Sequence, residues 1–155
     1  MSEIWRAGHK RLKPKIDNGK KVIVLYLGDH DPSGIDMGND VRNRLMTFTG
    51  ASASQLEVRR IALTMDQIEE YAPPPNPTKL TDSRAGKYIE DYGHECWELD
   101  ALEPTVIRGL IQEHIDKIRN KRLWQDAQAE ERVGRENLQR ISDNWSDVVD
   151  YLEDR

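Results

Sequence analysis

Residues 22–34, with the sequence VIVLYLGDHDPSG, constrain the fold of this chain more than any other stretch. They begin with an unbroken apolar run, rich in β-branched and aromatic side chains, between Gly19 and Gly28. So short a run predicts a strand that is buried on both faces, as in a parallel sheet. Turn residues follow, and residues 35–46 then show the apolar spacing of a helix. The stretch therefore predicts a buried strand, a tight turn and a crossover helix.

Asp29 and Asp31 lie at the carboxyl end of the predicted strand, where open α/β sheets commonly bind ligands. Alternation along an extended chain places both carboxylates on one side and His30 on the other. Like charges this close resist joint ionisation unless a cation neutralises them, and hard oxygen ligands suit Mg²⁺ or Mn²⁺. In the alternative interpretation, the two aspartates only turn the chain and cap the next helix. The spacing by itself leaves both interpretations open.

The longer string GDHDPSGIDM, residues 28–37, resembles the aspartate motif of Toprim domains. It is most similar to the D-x-D-P-x-G version in the A subunits of type IIB topoisomerases and the related meiotic double-strand-break proteins. Bacterial and phage proteins with a Toprim segment of this kind also look similar downstream, through PPNPTKLTDSR and WELDALEP. The resemblance implies that Asp29 and Asp31 bind Mg²⁺ beside the DNA phosphate being cut, with Pro32 and Gly34 shaping the turn.

The chain departs from the Toprim pattern at its start. A Toprim site also has a glutamate on an earlier strand, which acts as general acid or base and helps to hold metal. The residues before Val22 predict a helix, and Glu3 is the only acidic residue among them before Asp17. By this comparison the first strand and its glutamate are missing. We expect a further domain or chain to supply that glutamate and the tyrosine nucleophile of the topoisomerase branch, and no DNA cleavage by this chain alone.

Two basic residues in the string PPNPTKLTDSR, Lys79 and Arg84, are candidates for binding phosphate. They flank the predicted start of a helix at Thr81 or Asp82, where free backbone N–H groups and basic side chains both attract anions. The alternative is a capped surface turn without a ligand.

Two acidic residues in the string WELDALEP, Glu98 and Asp100, are candidates for a second metal-binding pair. They follow a predicted extended segment, residues 94–99, and point together for the same reason as the first pair. Their alternative role is to cap the helix that begins near Pro104.

The rest of the chain supplies the expected frame of the domain. Residues 55–63 predict a second strand near the sheet edge, where Arg59 or Arg60 approaches the acidic site or forms a surface ion pair. Helices are predicted over residues 3–12, ended or kinked by Pro14, and over residues 65–71 and 104–118. Apolar residues recur at helical spacing from 138 to 152, either to close the core, which we expect, or to form a dimer seam.

Composition narrows the class of protein. The formal charge of −5 argues against a protein dedicated to coating nucleic acid, and the single Cys96 excludes an internal disulfide. The sequence shows no membrane-spanning stretch or signal peptide, so we expect a cytoplasmic protein without a membrane partner. We expect an α/β fold, a Toprim-like sandwich with a small, mostly parallel sheet flanked by helices over residues 1–119. Residues 120–155 are expected to form a helical extension.

Three functions remain open from the sequence. The first is a Mg²⁺- or Mn²⁺-binding Toprim-type domain of a DNA-cleaving protein, either topoisomerase-like or nuclease-like, with DNA as its partner and homodimerisation through the C-terminal stripe. The second is a DNA-binding or assembly module that keeps the Toprim shape without its chemistry. The third is a phosphotransferase of the haloacid-dehalogenase type, which also places D-x-D after an apolar strand. That family has Thr or Val after the second aspartate, whereas Pro32 follows Asp31 here.

Overall fold

The apolar run forms strand β1 (Val22–Leu27), which pairs in parallel with β2 (Leu56–Ala62) in a computed structural model that describes residues 3–154. The register aligns Val22 with Leu56 and Tyr26 with Arg60. Helix α3 (Pro32–Thr49) makes the crossover between the two strands. The chain therefore has the mixed α/β fold with a small parallel sheet and flanking helices that its sequence predicts.

Strand β1 is less buried than its composition predicts. All six of its residues are half-buried, so the prediction of a strand covered on both faces is wrong. In the described part of the chain β1 pairs with β2 alone, and a two-stranded sheet offers little cover to either strand.

The N-terminal segment is helical up to Asp17. A short helix α1 (Glu3–Arg6) leads into a π-helical turn (Ala7–Leu12) and then into α2 (Lys13–Asp17). Pro14 does not end the helix, because it lies in the first turn of α2, where its missing N–H costs no hydrogen bond.

A second, small sheet forms between two segments downstream. Thr64 caps α4 (Met65–Tyr71) with a complete capping box, as the sequence predicts. The proline-rich loop then contributes β3 (Asn76–Pro77), which pairs antiparallel with β4 (Glu95–Cys96). Helix α5 (Ala85–Tyr92) lies between them in the chain. It begins later than predicted, because Asp82 uses its carboxylate to accept hydrogen bonds from the backbone N–H and guanidinium of Arg84.

Two groups of buried apolar side chains support these elements. One group packs the end of β2 against α4, Trp97 and α6 (Pro104–Ile118), and its buried members are Ala62, Leu63, Ile68, Trp97, Leu102 and Leu110. The other packs the N-terminal helix and α3 against the start of β2, through Ile16, Leu45, Ala51 and Leu56.

The described residues separate into two compact units, and the division falls within α6, after His114. The second unit contains α7 (Lys121–Asp143) and α8 (Trp145–Glu153). Most side chains of the predicted C-terminal stripe are exposed, by 69% at Leu138 and 60% at Trp145, whereas Val148 and Val149 are half-buried. No described residue of α7 or α8 is buried, so the stripe forms no core within its own unit. Within residues 3–154, no helix combines the length and apolar character needed to cross a membrane.

Candidate functional site

Asp31 has the structural role that one interpretation of the sequence gave it. It is the N-cap of α3, and its Oδ1 accepts a hydrogen bond from the Gly34 N–H at 2.5 Å. The Ser33 hydroxyl lies 3.0 and 3.1 Å from the two carboxylate oxygens. Pro32 occupies the first helical turn, where its fixed φ suits the helix. Local sequence alone thus fixes the carboxylate of Asp31 at the end of β1.

Asp29 is held by a distant part of the chain. Its Oδ1 accepts a hydrogen bond from the backbone N–H of Leu99 at 2.8 Å, across 70 residues of sequence. The residue is exposed, and its Oδ2 has no hydrogen bond within the described residues. The side chain therefore has one oxygen fixed and one oxygen open to a ligand.

Arg60 fastens the loop that carries both aspartates. Its Nη2 donates hydrogen bonds to the carbonyl oxygens of Gly28 and Asp29, at 2.8 and 2.6 Å. Its Nη1 donates to the Gly34 carbonyl at 3.0 Å, and its Nε to the Leu63 carbonyl at 3.0 Å. The guanidinium therefore ties the end of β1, the first turn of α3 and the end of β2 together.

Burial lowers the pKa of Arg60, although the nearby Tyr26 and Asp29 favour its charged form. The guanidinium also lies over the Tyr26 ring, 5.6 Å from its centroid. Both sequence-based alternatives for the arginine pair are realised, one by each residue: Arg60 reaches the acidic loop, and Arg59 pairs with Glu57 at 2.7 Å.

His30 faces away from the aspartates, as the alternation predicts, and is only 3% exposed. Its Nδ1 lies 2.8 Å from the Tyr88 hydroxyl, which in turn donates to the His30 carbonyl at 2.8 Å. The ring also packs edge-on against Tyr92 and Trp97. Burial and the charge of Arg60 lower the pKa of His30, so it serves as a neutral core residue.

The structure brings most of the predicted site residues to one cavity of about 650 Å³ at the end of β1. We call it the aspartate cavity, and its charged lining residues are Asp29, Asp31, Lys79, Asp82, Arg84 and Glu98. Asp100 is the exception, because it lines an adjoining cavity of about 330 Å³ with Asp29 and Glu98. The two predicted acidic pairs are thus neighbours, with Asp29 and Glu98 between the two cavities.

The two predicted basic residues, Arg84 and Lys79, differ in whether they are paired with carboxylates. The Arg84 guanidinium pairs with Asp82 at 2.9 Å and with Asp36 at 3.5 Å. The same hydrogen bonds lower the pKa of Asp82 to about 2. Lys79 is exposed and forms no ion pair within the described residues, so it is the cation of this cavity that is available to an anionic ligand.

The aspartate cavity offers carboxylate oxygens, the kind of ligand that hard divalent cations prefer. Within residues 3–154, no three histidine, cysteine, aspartate or glutamate side chains are grouped closely enough to hold a metal. Mg²⁺ sites, however, often use one or two carboxylates and complete their shell with waters and substrate phosphates. Asp29 and Asp31 offer carboxylate oxygens of the required kind, and Glu98 opens onto the same cavity.

The sequence predicts that one arginine of β2 approaches the acidic site, but not that Arg60 binds the backbone carbonyls of the aspartate loop, and it does not predict the pairing of Asp82 with Arg84. The signal for Arg60 was an arginine near the carboxyl end of the neighbouring parallel strand, where it can reach the end of β1. The signal for Asp82 was its place two residues before Arg84, which favours a local hydrogen bond to the backbone. Comparison of the chain with protein-family models, with curated proteins and with solved structures found no match.

Proposed function

We propose that the aspartate cavity binds Mg²⁺ or Mn²⁺ through Asp29 and Asp31 and, beside the ion, a phosphate of DNA. The chain would serve as the Toprim-type metal-binding domain of a DNA-cleaving protein. One observation carries the proposal: Asp29, Asp31 and the unpaired Lys79 open onto the same cavity, which has room for a phosphate group. The resemblance of residues 28–37 to the Toprim motif supports the same assignment.

The acidic and basic residues of the aspartate cavity have different proposed roles. When bound, the ion would polarise a phosphoryl oxygen and offset negative charge in the transition state. The carboxylates of Asp29 and Asp31 lie at the carboxyl end of β1. Lys79 presents an ammonium group to a phosphate that enters the cavity. Glu98 lies beside Asp29 in two cavities, so it is the residue of this chain best placed to accept or donate a proton.

The tyrosines nearest to the site are poor nucleophiles. The Tyr26 hydroxyl donates to the Gly34 carbonyl at 3.2 Å, and the Tyr88 hydroxyl is engaged with His30. Burial raises the pKa of both phenols, which makes their reactive phenolate forms rarer. We therefore propose that strand cleavage uses a nucleophile from water or from a partner, and that the chain alone does not nick supercoiled DNA.

A second candidate is a binding or assembly module without catalysis. It is favoured by the fact that both aspartates already have structural partners: Asp31 caps α3, and Asp29 accepts from Leu99. In this case the acidic pair would shape the loop and would not bind metal.

The Asp29→Asn/Asp31→Asn double variant separates these two candidates. Asparagine can still cap α3 and accept from the Leu99 N–H, but it removes both negative charges. Isothermal titration with Mn²⁺ should show weak binding to the wild-type chain and none to the double variant, with circular dichroism unchanged. Asp40→Asn, on the far part of α3 and paired with Arg44, is the matched control and should bind Mn²⁺ normally. Equal affinity in the wild-type chain and the double variant, or no binding by either, would exclude the metal site.

A further inference from the structure

Two further cavities lie along α3, and each cavity shares lining residues with the next. A second cavity of about 480 Å³ shares Pro32 and Arg84 with it, and lies between α3 and α5. A third cavity of about 300 Å³ shares Ile35, Asn39 and Tyr92 with the second. Because neighbouring cavities share lining residues, we take the three together as one binding surface and call it the α3–α5 groove.

The length of the α3–α5 groove suits several nucleotides. Along α3 its wall runs from Pro32 to Arg42, ten residues and therefore about 15 Å at 1.5 Å per residue. In a stacked helix each phosphate rises roughly 3.4 Å along the axis, and an unpaired strand is more extended, so fewer than about four phosphates could lie along this wall.

Unpaired basic side chains mark the α3–α5 groove at intervals. Lys79 lies in the aspartate cavity, Lys87 in the second cavity and Arg42 in the third. All three are exposed, and none forms an ion pair within the described residues. Many other basic residues of the chain are paired with carboxylates, as Arg44 is with Asp40. Free cations at intervals along one groove can follow a phosphate backbone, and Lys79 and Lys87 lie here among carboxylates that line the same cavities.

An aromatic ring stands where the second and third cavities meet. Tyr92 lines both, is 37% exposed, and has its ring held by edge contacts to the buried His30, at 4.7 Å between centroids. A ring fixed in this way is a platform on which an unpaired base can stack. In a duplex the bases are stacked on one another and cannot reach it.

Two acidic residues, Asp36 and Asp91, also line the second cavity and work against an anionic ligand. Asp36 pairs with Arg84 at 3.5 Å, an exposed contact of little strength. A phosphate can replace Asp36 as the partner of Arg84, so the pair is a weak competitor for the ligand.

We propose that the α3–α5 groove binds a single strand of DNA that leads to the aspartate cavity, with Lys87 and Arg42 on its phosphates and a base stacked on Tyr92. The proposal rests on the proposed function for the identity of the ligand. It adds the path of the strand and the requirement that the strand be unpaired.

Fluorescence anisotropy of a labelled oligothymidylate with the full chain, at low salt and in EDTA, tests the groove without the metal. Lys87→Ala and Arg42→Ala should each weaken binding several-fold and each reduce the salt slope by about one. Lys20→Ala and Arg44→Ala are the matched controls outside the groove and should bind as the wild type does. Asp36→Asn should bind more tightly, because it removes a negative charge from the lining of the groove beside Arg84.

The stacking role has its own variants. Tyr92→Leu should weaken binding roughly ten-fold, whereas Tyr92→Phe keeps the ring and should bind normally. Thermal unfolding of each variant shows whether the fold is retained. If Tyr92→Leu does not fold, the binding of Lys87→Ala and Arg42→Ala decides whether the groove binds the strand.

Two results would contradict the proposed strand path. One is that the groove variants bind like their controls, and the other is that a labelled duplex binds more tightly than the single strand. Since EDTA removes the metal from this assay, loss of Mn²⁺ binding and loss of strand binding are scored separately. A chain that binds Mn²⁺ through the aspartates but shows no groove effect would refute the strand path alone.

Discussion

The Nη2 atom of Arg60 lies 2.6 Å from the backbone carbonyl oxygen of Asp29, 31 residues earlier in the chain. A positive charge on β2 therefore fixes the backbone of a residue that we propose to bind metal. The other donors of the same guanidinium hold the carbonyls of Gly28 and Gly34, on either side of that loop. The position of the aspartate loop thus depends on the parallel pairing of β1 with β2.

Replacing Arg60 should destabilise the protein more than replacing its neighbour Arg59. Arg60→Met removes four hydrogen bonds to backbone carbonyl oxygens, and we expect a loss of roughly 2–4 kcal/mol in the free energy of unfolding. Arg59→Met breaks only a partly exposed pair with Glu57 and should cost under about 1 kcal/mol. Urea unfolding followed by circular dichroism measures both. Equal losses would show that the Arg60 hydrogen bonds do not stabilise the loop.

A side chain at Gly34 should not be tolerated. A Cβ there would overlap the backbone carbonyl of Asp29 and lie 3.0 Å from Oδ1 of Asp31. Gly34→Ala should therefore lower the free energy of unfolding by about 1–3 kcal/mol, the usual cost of overpacking. Gly109→Ala in α6 meets nothing within 4 Å and should stabilise the protein by about 0.5–1 kcal/mol, because alanine favours helix. Thermal unfolding of the two variants should shift in opposite directions.

Asp82 should titrate well below an ordinary aspartate. Hydrogen bonds from the side chain and backbone of Arg84 hold its pKa at about 2. Because folding lowers the pKa of Asp82, its pairing with Arg84 stabilises the folded protein at pH values above the pKa that Asp82 has in the unfolded chain. That stabilisation is lost as the pH falls through about 2. In Arg84→Gln the pKa of Asp82 should rise toward the ordinary aspartate value of about 4. Carboxyl ¹³C NMR titration measures it, and an unchanged pKa in the variant would contradict this assignment.

The exposed C-terminal stripe should matter more for self-association than for folding. Trp145 is 60% exposed, so Trp145→Glu should change the free energy of unfolding by under about 0.5 kcal/mol. Leu102 is only 4% exposed, and Leu102→Ala should cost about 2–5 kcal/mol. If the stripe forms a dimer seam, sedimentation should show a concentration-dependent dimer that Trp145→Glu abolishes. Unfolding of Trp145→Glu as severe as that of Leu102→Ala would instead place this residue in a core.

Elements with local signals can be predicted from the amino-acid sequence alone. The apolar run gives β1, the Asp31-Pro32 pair starts α3 by capping its first turn, and Thr64 with Gln67 builds the capping box of α4. Each of these depends on residues only a few positions apart, so propensity and hydrogen bonding within one turn are enough to specify it. The direction of His30, away from the aspartates, follows in the same way from the alternation of a strand.

The surroundings of the two aspartates depend on contacts between residues that are far apart in the chain. Leu99 donates to Asp29 across 70 residues and Arg60 across 31, while Lys79 and Glu98 reach the same cavity from separate loops. The predicted burial of β1 on both faces is wrong for a related reason, because an apolar run does not indicate how many strands will lie beside it. Contacts of this kind depend on the packing of whole elements against one another. No local pattern encodes them, because the residues that meet are brought together by the fold.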